Sequence, residues 1–147
     1  MFKFKLQTIL DVRKTIEDQV LSEFSEQQKT LERENERLLS IQEQLTALVD
    51  ALRNIQGKTV NIFEISLNST GIKNCRIKEE LQKQRVQEAT MLLETKREAL
   101  LEAMKKRKAM EIIKTKHYEK FLFKANLLEQ TANDERTIVS HQRREEE

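Results

Sequence analysis

The sequence predicts an all-α protein in which two long helices form an antiparallel coiled-coil hairpin, the second helix being the longer one. Apolar residues recur every seven positions in the first third of the chain, and the 147 residues include two glycines and no proline. The apolar share is 37% and the charged share 35%, whereas an average globular domain is about 45–50% apolar and about 25% charged. This composition suits long helices that bury a narrow stripe better than it suits a thick core.

The first helix is predicted over residues 5–56 and carries a heptad repeat. From Val20 to Ile55, the a positions hold Phe24, Leu31, Leu38, Leu45 and Leu52, and the d positions hold Val20, Gln27, Glu34, Ile41, Leu48 and Ile55. A seven-residue repeat of this length favours a left-handed coiled coil. Gly57 follows as the predicted stop, since glycine readily adopts the left-handed conformation that ends many helices.

The second helix is predicted over residues 72–143, with a frayed tail at 144–147. Asn68, Ser69 and Thr70 are candidate N-caps for it. Its apolar pattern is looser and consists of Ile77, Leu81, Met91, Leu92, Ala99, Ala103, Met110, Ile113, His117, Phe121, Leu127, Leu128 and Ile138. The whole chain is expected to be one domain.

An antiparallel hairpin lets each apolar stripe cover the other. If the chain folds back near residue 64, Asp50 lies near Lys78, Leu48 faces Leu81, and Lys5 lies near Phe123. The two termini then meet at one end, and residues 57–71 form the opposite tip.

The predicted loop at 57–71 is unusually apolar. It lies between the two glycines and contains the octet VNIFEISL, whose β-branched and aromatic residues favour a strand. A polar turn of a few residues would suffice to close a hairpin. The segment either covers the end of the coil or docks a partner through Ile62, Phe63 and Ile65.

Charged residues are unevenly distributed, although the net charge is only +2. Residues 17–50 carry nine acids and three bases, and residues 105–124 carry eight bases and two acids. Such blocks act through partner choice and orientation. The basic run Lys105–Lys108 would spread around a helix, so it predicts a solvated face or an acidic protein partner, and we expect no nucleic-acid partner.

The sequence offers little for catalysis. His117 and His141 are isolated, Cys75 has no nearby histidine, and the chain lacks a glycine-rich phosphate loop, so we expect no enzyme activity, no cofactor and no metal site. A single cysteine, no signal peptide and no long apolar span predict a cytoplasmic protein without direct membrane insertion.

Two distinctive segments lie at the ends of the sequence. The opening is FKFKLQTILDVRKTIE, with Phe4, Leu6, Gln7, Leu10, Arg13 and Glu17, and the closing segment is EQTANDERTIV, with Gln130, Asp134 and Glu135. At these residues the chain resembles the FliJ family, the short coiled-coil proteins of the bacterial flagellar type III export apparatus. Many members carry an aromatic residue near the start of the second helix. With a helix starting at residue 72 this position lacks one, and the nearest aromatic residue is Phe63.

The resemblance implies a central stalk of the hexameric export ATPase, coupled to a membrane export gate protein and engaging export chaperones, at the cytoplasmic face of the inner membrane. We expect the ATPase to face Arg13, Lys14, Lys105, Lys106, Arg107, Lys108, Lys114 and Lys116. We expect the export gate to face Ile62, Phe63 and Ile65. Two alternatives are a chaperone subunit of prefoldin type, which places β structure between its helices, and a generic coiled-coil scaffold.

Overall fold

The computed structural model describes residues 2–55 and 61–145, with the side chains of residues 2–55 and 61–138. Helix α1 spans Gln7–Ile55 and helix α2 spans Ile62–Glu145, at 49 and 84 residues. No strand occurs within these described ranges, so the predicted all-α class with a longer second helix is confirmed. The predicted stop at Gly57, the first residue of the apolar octet and the end of the frayed tail lie outside the described residues.

The heptad predicted for α1 matches its burial. Every side chain at the a and d positions from Val20 to Ile55 is partly buried, including the polar Gln27 and Glu34. The helix starts slightly later than predicted, after a turn in which the Gln7 amide donates to the Phe4 carbonyl at 3.1 Å. A side chain every three or four residues thus faces the second helix, as a coiled coil requires.

The prediction that residues 62–71 belong to a loop and that the second helix starts at residue 72 is wrong, because α2 already begins at Ile62. Asn61 is its N-cap: the Phe63 amide donates to Asn61 Oδ1 at 3.1 Å, and the Ile65 amide donates to the Asn61 carbonyl at 3.2 Å. Glu64 follows three residues after the cap, where a carboxylate favours the positive end of the helix dipole. These local signals outweigh the strand propensity of the octet.

The predicted caps Asn68, Ser69 and Thr70 lie inside α2. Asn68 Nδ2 donates to the Glu64 carbonyl at 3.1 Å, and Thr70 Oγ1 donates to the Ser66 carbonyl at 2.9 Å. Both bonds reach back one turn, as polar side chains within a helix commonly do. Gly71 is helical as well and has no positive φ.

The apolar stripe predicted for α2 is largely wrong. Ile77, Leu81 and Met91 are 60%, 53% and 66% exposed, whereas Ala103 and Met110 are correctly placed. The face that packs against α1 follows two seven-residue series: Cys75, Gln82, Ala89, Lys96, Ala103 and Met110, and Glu79, Val86, Leu93, Leu100, Arg107 and Lys114. Small and polar residues occupy much of this face, so a search for large apolar residues overlooks it.

Helix–helix contacts divide the chain into two compact units. The central unit is Asp18–Leu101, and the terminal unit combines Met1–Glu17 with Glu102–Glu147. In the central unit, Ile41 meets Cys75 and Gln27 meets Ala89, so the helices run antiparallel. In the terminal unit, Gln7 meets Lys114 and Phe4 meets His117, which is again antiparallel.

The helix register differs from the predicted one. Leu48 faces Gly71 and not Leu81, its methyl groups lying 3.6 and 3.7 Å from the point where a Cβ would sit on the glycine. In the terminal unit, Phe2 contacts Tyr118 and Phe121 through its ring. This shift in register follows from the earlier start of α2. Each position of α1 therefore faces a residue nearer the N-terminus of α2 than the sequence predicts.

Candidate interaction surfaces

All eight residues predicted to face an ATPase belong to the terminal unit: Arg13, Lys14, Lys105, Lys106, Arg107, Lys108, Lys114 and Lys116. The structure divides their side chains into three groups. Two residues pack against the N-terminal segment, three point away from it, and the remaining three take intermediate positions.

Arg107 and Lys114 belong to the packed group. Arg107 Nε donates to the Glu17 carboxylate, and its Nη1 donates to Glu111 at 2.6 Å. These two carboxylates, Glu17 first, raise the pKa of the guanidinium. Lys114 Nζ donates to Gln7 Oε1 at 2.8 Å. Both cations therefore hold the helices of the terminal unit together.

The outward group forms a stripe along α2 that we call the basic face: Lys105, Lys108 and Lys116 with the apolar Ile112 between them. Spacings of three, four and four residues place these side chains on one side of a helix. All four are exposed, and the lysines form no ion pair within the described residues. Glu111 and Glu119 lie beside these lysines without pairing with them. Because the three lysines have no ion-pair partner among the described residues, they can attract an anionic partner.

The remaining predicted cations take intermediate positions. Lys106 is exposed but pairs with Glu102 at 3.2 Å, four residues earlier on α2. Arg13 is partly buried on α1, and Lys14 is exposed beside it. These three residues therefore lie outside the basic face.

The start of α2 carries the apolar residues predicted to form the tip. Ile62 and Phe63 are 81% and 73% exposed, and Leu67, which the tip prediction omitted, is 64% exposed. Ile65 is partly buried. The first turn of α2 thus presents two large apolar side chains to solvent, while Ile65 takes part in packing.

Polar contacts between the helices of the central unit were not predicted. Gln27 Nε2 donates to the Ala89 carbonyl at 3.2 Å, and Gln82 donates to Glu34. Lys96 Nζ pairs with Glu23 at 2.7 Å. Gln27 and Glu34 were visible in the sequence as polar d residues, but their partners could not be found without the correct register.

The described residues contain no group of three or more histidine, cysteine or acidic side chains placed to hold a metal ion. Cys75 is buried, with Sγ 3.5 Å from the Ile41 carbonyl. The His117 ring packs edge-on against Phe4, with ring centroids 5.8 Å apart. Both side chains are accounted for by packing.

A comparison with protein-family models identifies the relationship. The model described as "Flagellar FliJ protein" matches residues 2–146, nearly the whole chain. The chain belongs to the FliJ family. Searches of curated proteins and of solved structures returned no match. Membership makes the chain a component of the flagellar export apparatus, and the family is non-catalytic.

The earlier start of α2 changes the position of one aromatic side chain. With the helix beginning at Ile62, Phe63 lies in its first turn. An aromatic residue is therefore present near the start of the second helix, whereas a helix starting at residue 72 would have none there. Neither helix, over its described residues, contains a segment long and apolar enough to cross a membrane.

Proposed function

We propose that this FliJ-family protein acts as a central stalk of the hexameric flagellar export ATPase at the cytoplasmic face of the inner membrane. In this role it couples the ATPase to the membrane export gate protein and engages export chaperones. The observation that carries the proposal is the basic face of Lys105, Lys108 and Lys116, which lies on the unit that contains both ends of the chain.

A stalk within a ring needs attraction without a rigid fit. Exposed lysine side chains are long and strongly hydrated, so they attract an acidic surface over several ångströms without imposing one geometry. The packed Arg107 and Lys114 are unsuited to this role because their hydrogen bonds to Glu17 and Gln7 hold the helices together. We therefore assign the ATPase contact chiefly to the basic face.

The export gate contact is assigned to Ile62 and Phe63. Both side chains are more than two-thirds exposed at the start of α2, and exposed apolar patches on small proteins commonly mark interaction sites. Ile65, which is partly buried, supports the fold beneath them. The prefoldin-type alternative loses its main support, since residues 62–67 are helical and provide no strand.

The test is association with the hexameric export ATPase of the same organism, measured together with the ATP hydrolysis rate. Lys105→Glu, Lys108→Glu and Lys116→Glu are combined in one variant, and Lys73→Glu, Lys78→Glu and Arg85→Glu form the matched control. Those control residues are exposed cations on α2 in the central unit.

The basic-face variant should lose association and stimulation of hydrolysis, while the control retains both and circular dichroism shows equal helicity. Wild-type binding should also weaken as salt rises, because exposed charges are screened. Equal behaviour of the two variants, or binding indifferent to salt, would refute the assignment of the basic face. Absence of any association with the ATPase would favour a generic scaffold.

A further inference from the structure

Two clusters of phenylalanine and lysine, far apart in the sequence, lie together in the terminal unit. The first is FKFK at residues 2–5, and the second is KFLFK at residues 120–124. The Phe2 ring centroid is 5.3 Å from that of Tyr118 and 5.6 Å from that of Phe121. These ring contacts bring the lysines of both clusters to one side of the terminal unit.

The lysines border a groove that contains no acidic residue. Its lining consists of Phe2, Lys3, Lys5, His117, Lys120, Phe121 and Lys124. All four lysines are exposed, and none of them forms an ion pair within the described part of the chain. Four uncompensated positive charges thus surround a few aromatic rings.

Apolar side chains extend this surface along α2. Phe123 is 71% exposed and Leu127 is 51% exposed. Phe123 and Leu127 are four residues apart and share one side of the helix, and the same holds for Lys120 and Lys124. The apolar pair and the lysine pair lie on adjoining sides. We call these six residues, Lys3, Lys5, Lys120, Phe123, Lys124 and Leu127, the Phe–Lys surface.

We propose that the Phe–Lys surface adsorbs to bilayers containing anionic phospholipid. Each lysine is attracted to the negative headgroups, and the aromatic and apolar side chains between them enter the headgroup region. Adsorption of this kind leaves the helices lying on the membrane surface. The proposal goes beyond the ATPase contact, because it uses none of the cations of the basic face.

A bilayer fits this surface better than an acidic peptide does. Phe123 and Leu127 are exposed and do not line the groove formed with Phe2 and Phe121. A peptide would gain from a pocket that encloses such side chains, whereas a bilayer accepts a protruding mixture of lysine and apolar groups without matching its shape. Charge selects an anionic partner, and the protruding apolar groups favour lipid.

The test measures co-sedimentation of the full chain with phosphatidylcholine vesicles, with and without phosphatidylglycerol. The variant Phe123→Ser/Lys124→Glu removes one apolar group and reverses one charge on the surface. Ile77→Ser/Lys78→Glu is the matched control, because it makes the same change at an adjacent exposed pair on α2 in the central unit. Circular dichroism checks that both variants remain helical.

The wild type should bind vesicles that contain phosphatidylglycerol, should bind pure phosphatidylcholine much less, and should dissociate as salt rises. The surface variant should bind at least about tenfold more weakly, and the control should bind like the wild type. Binding equal to both vesicle types, no binding to either, or equal loss in both variants would overturn the proposal. Binding to soluble polyglutamate without binding to the vesicles would assign the surface to an acidic protein and also overturn it.

Discussion

Gln82 and Glu34 join the two helices of the central unit through a bidentate contact. The Gln82 side chain is almost fully buried, and its Nε2 donates to the Glu34 backbone carbonyl at 2.9 Å and to Glu34 Oε2 at 2.6 Å. One heptad away, Gln27 Nε2 donates to the Ala89 carbonyl. Buried polar pairs of this kind specify register in coiled coils at a cost in stability.

Replacing one partner of this contact should cost more than replacing both. The Glu34 side chain is mostly buried and also pairs with Arg37 at 2.7 Å. Gln82→Leu leaves its carboxylate without the amide donor, which should lower the free energy of unfolding by about 1–3 kcal/mol. The double variant Glu34→Leu/Gln82→Leu exchanges the pair for apolar packing and should be as stable as the wild type or more so. Urea denaturation followed by circular dichroism measures both. A double variant as unstable as the single one would contradict this account.

Gly71→Ala should stabilise the protein. The glycine is helical, and an added Cβ would meet the Leu48 methyl groups at 3.6 and 3.7 Å, ordinary van der Waals distances. Alanine in a helix interior is favoured over glycine by roughly 0.5–1 kcal/mol, which should appear as a higher unfolding midpoint. Destabilisation would indicate that residue 71 lies in a loop, as the sequence predicts for residues 57–71, and not in a helix.

The sequence was sufficient to predict α1 and insufficient to predict the face of α2. In α1, large apolar residues occupy most a and d positions, so Leu31 and Leu38 reveal the heptad directly. In α2, the buried positions include Gln82, Ala89 and Ala103. Alanine and glutamine also occur on exposed helix surfaces. Their burial here therefore cannot be recognised from hydrophobicity, and the seven-residue spacing of the packed face is missed.

The orientation of the basic side chains could not be predicted from the sequence. The run Lys105–Lys108 is visible there, but whether each side chain points inward or outward depends on the helix register. Arg107 points towards Glu17, while Lys105 and Lys108 point to solvent. The N-cap of α2 at Asn61 could have been recognised from the spacing of Asn61 and Glu64, which resembles a capping box.

Asn61→Ala should weaken the start of α2. The substitution removes the oxygen that accepts the Phe63 amide, and loss of an N-cap typically costs about 0.5–2 kcal/mol. Asn68→Ala is the matched control, since Asn68 lies inside the helix, where alanine is favoured. Thermal unfolding should rank Asn68→Ala at or above the wild type and Asn61→Ala below it. The reverse order would place the N-cap near residue 68.

Stability should fall in acid through two carboxylates of the central unit. Lys96 lowers the pKa of Glu23 through a hydrogen bond and its charge, and Lys83 with Gln42 lowers the pKa of Glu79. A carboxylate whose pKa is lowered in the folded state stabilises the fold at pH values above the ordinary pKa of 4.5. This contribution is lost as the pH falls below 4.5 and the carboxylate takes up a proton.

The midpoint of urea unfolding, measured at one pH above 4.5 and one below it, should therefore change less with pH in Glu23→Gln/Glu79→Gln than in the wild type. Glu43→Gln serves as the control, because Glu43 is an exposed carboxylate on α1. An unchanged acid dependence in the double variant would show that other carboxylates dominate.

At the apolar start of α2, substitutions can distinguish residues that dock a partner from residues that stabilise the fold. Ile62 and Phe63 are highly exposed, whereas Ile65 is partly buried. Ile62→Ser/Phe63→Ser should leave thermal stability and ATPase association nearly unchanged, because both side chains already contact water. Ile65→Ser should lower the unfolding midpoint, since it exchanges a partly buried apolar group for a hydroxyl.

If Ile62 and Phe63 dock on the export gate, motility and flagellar protein export should fail in the Ile62→Ser/Phe63→Ser strain while the protein remains at its normal level. Leu39→Ser is the control, because Leu39 is also exposed, at 58%, but lies on α1 away from the first turn of α2. Normal export in the double variant would exclude docking through these two residues. A collapse of its melting temperature would instead show that they cover the end of the coil, and the apolar composition of the segment would then be explained by stability alone.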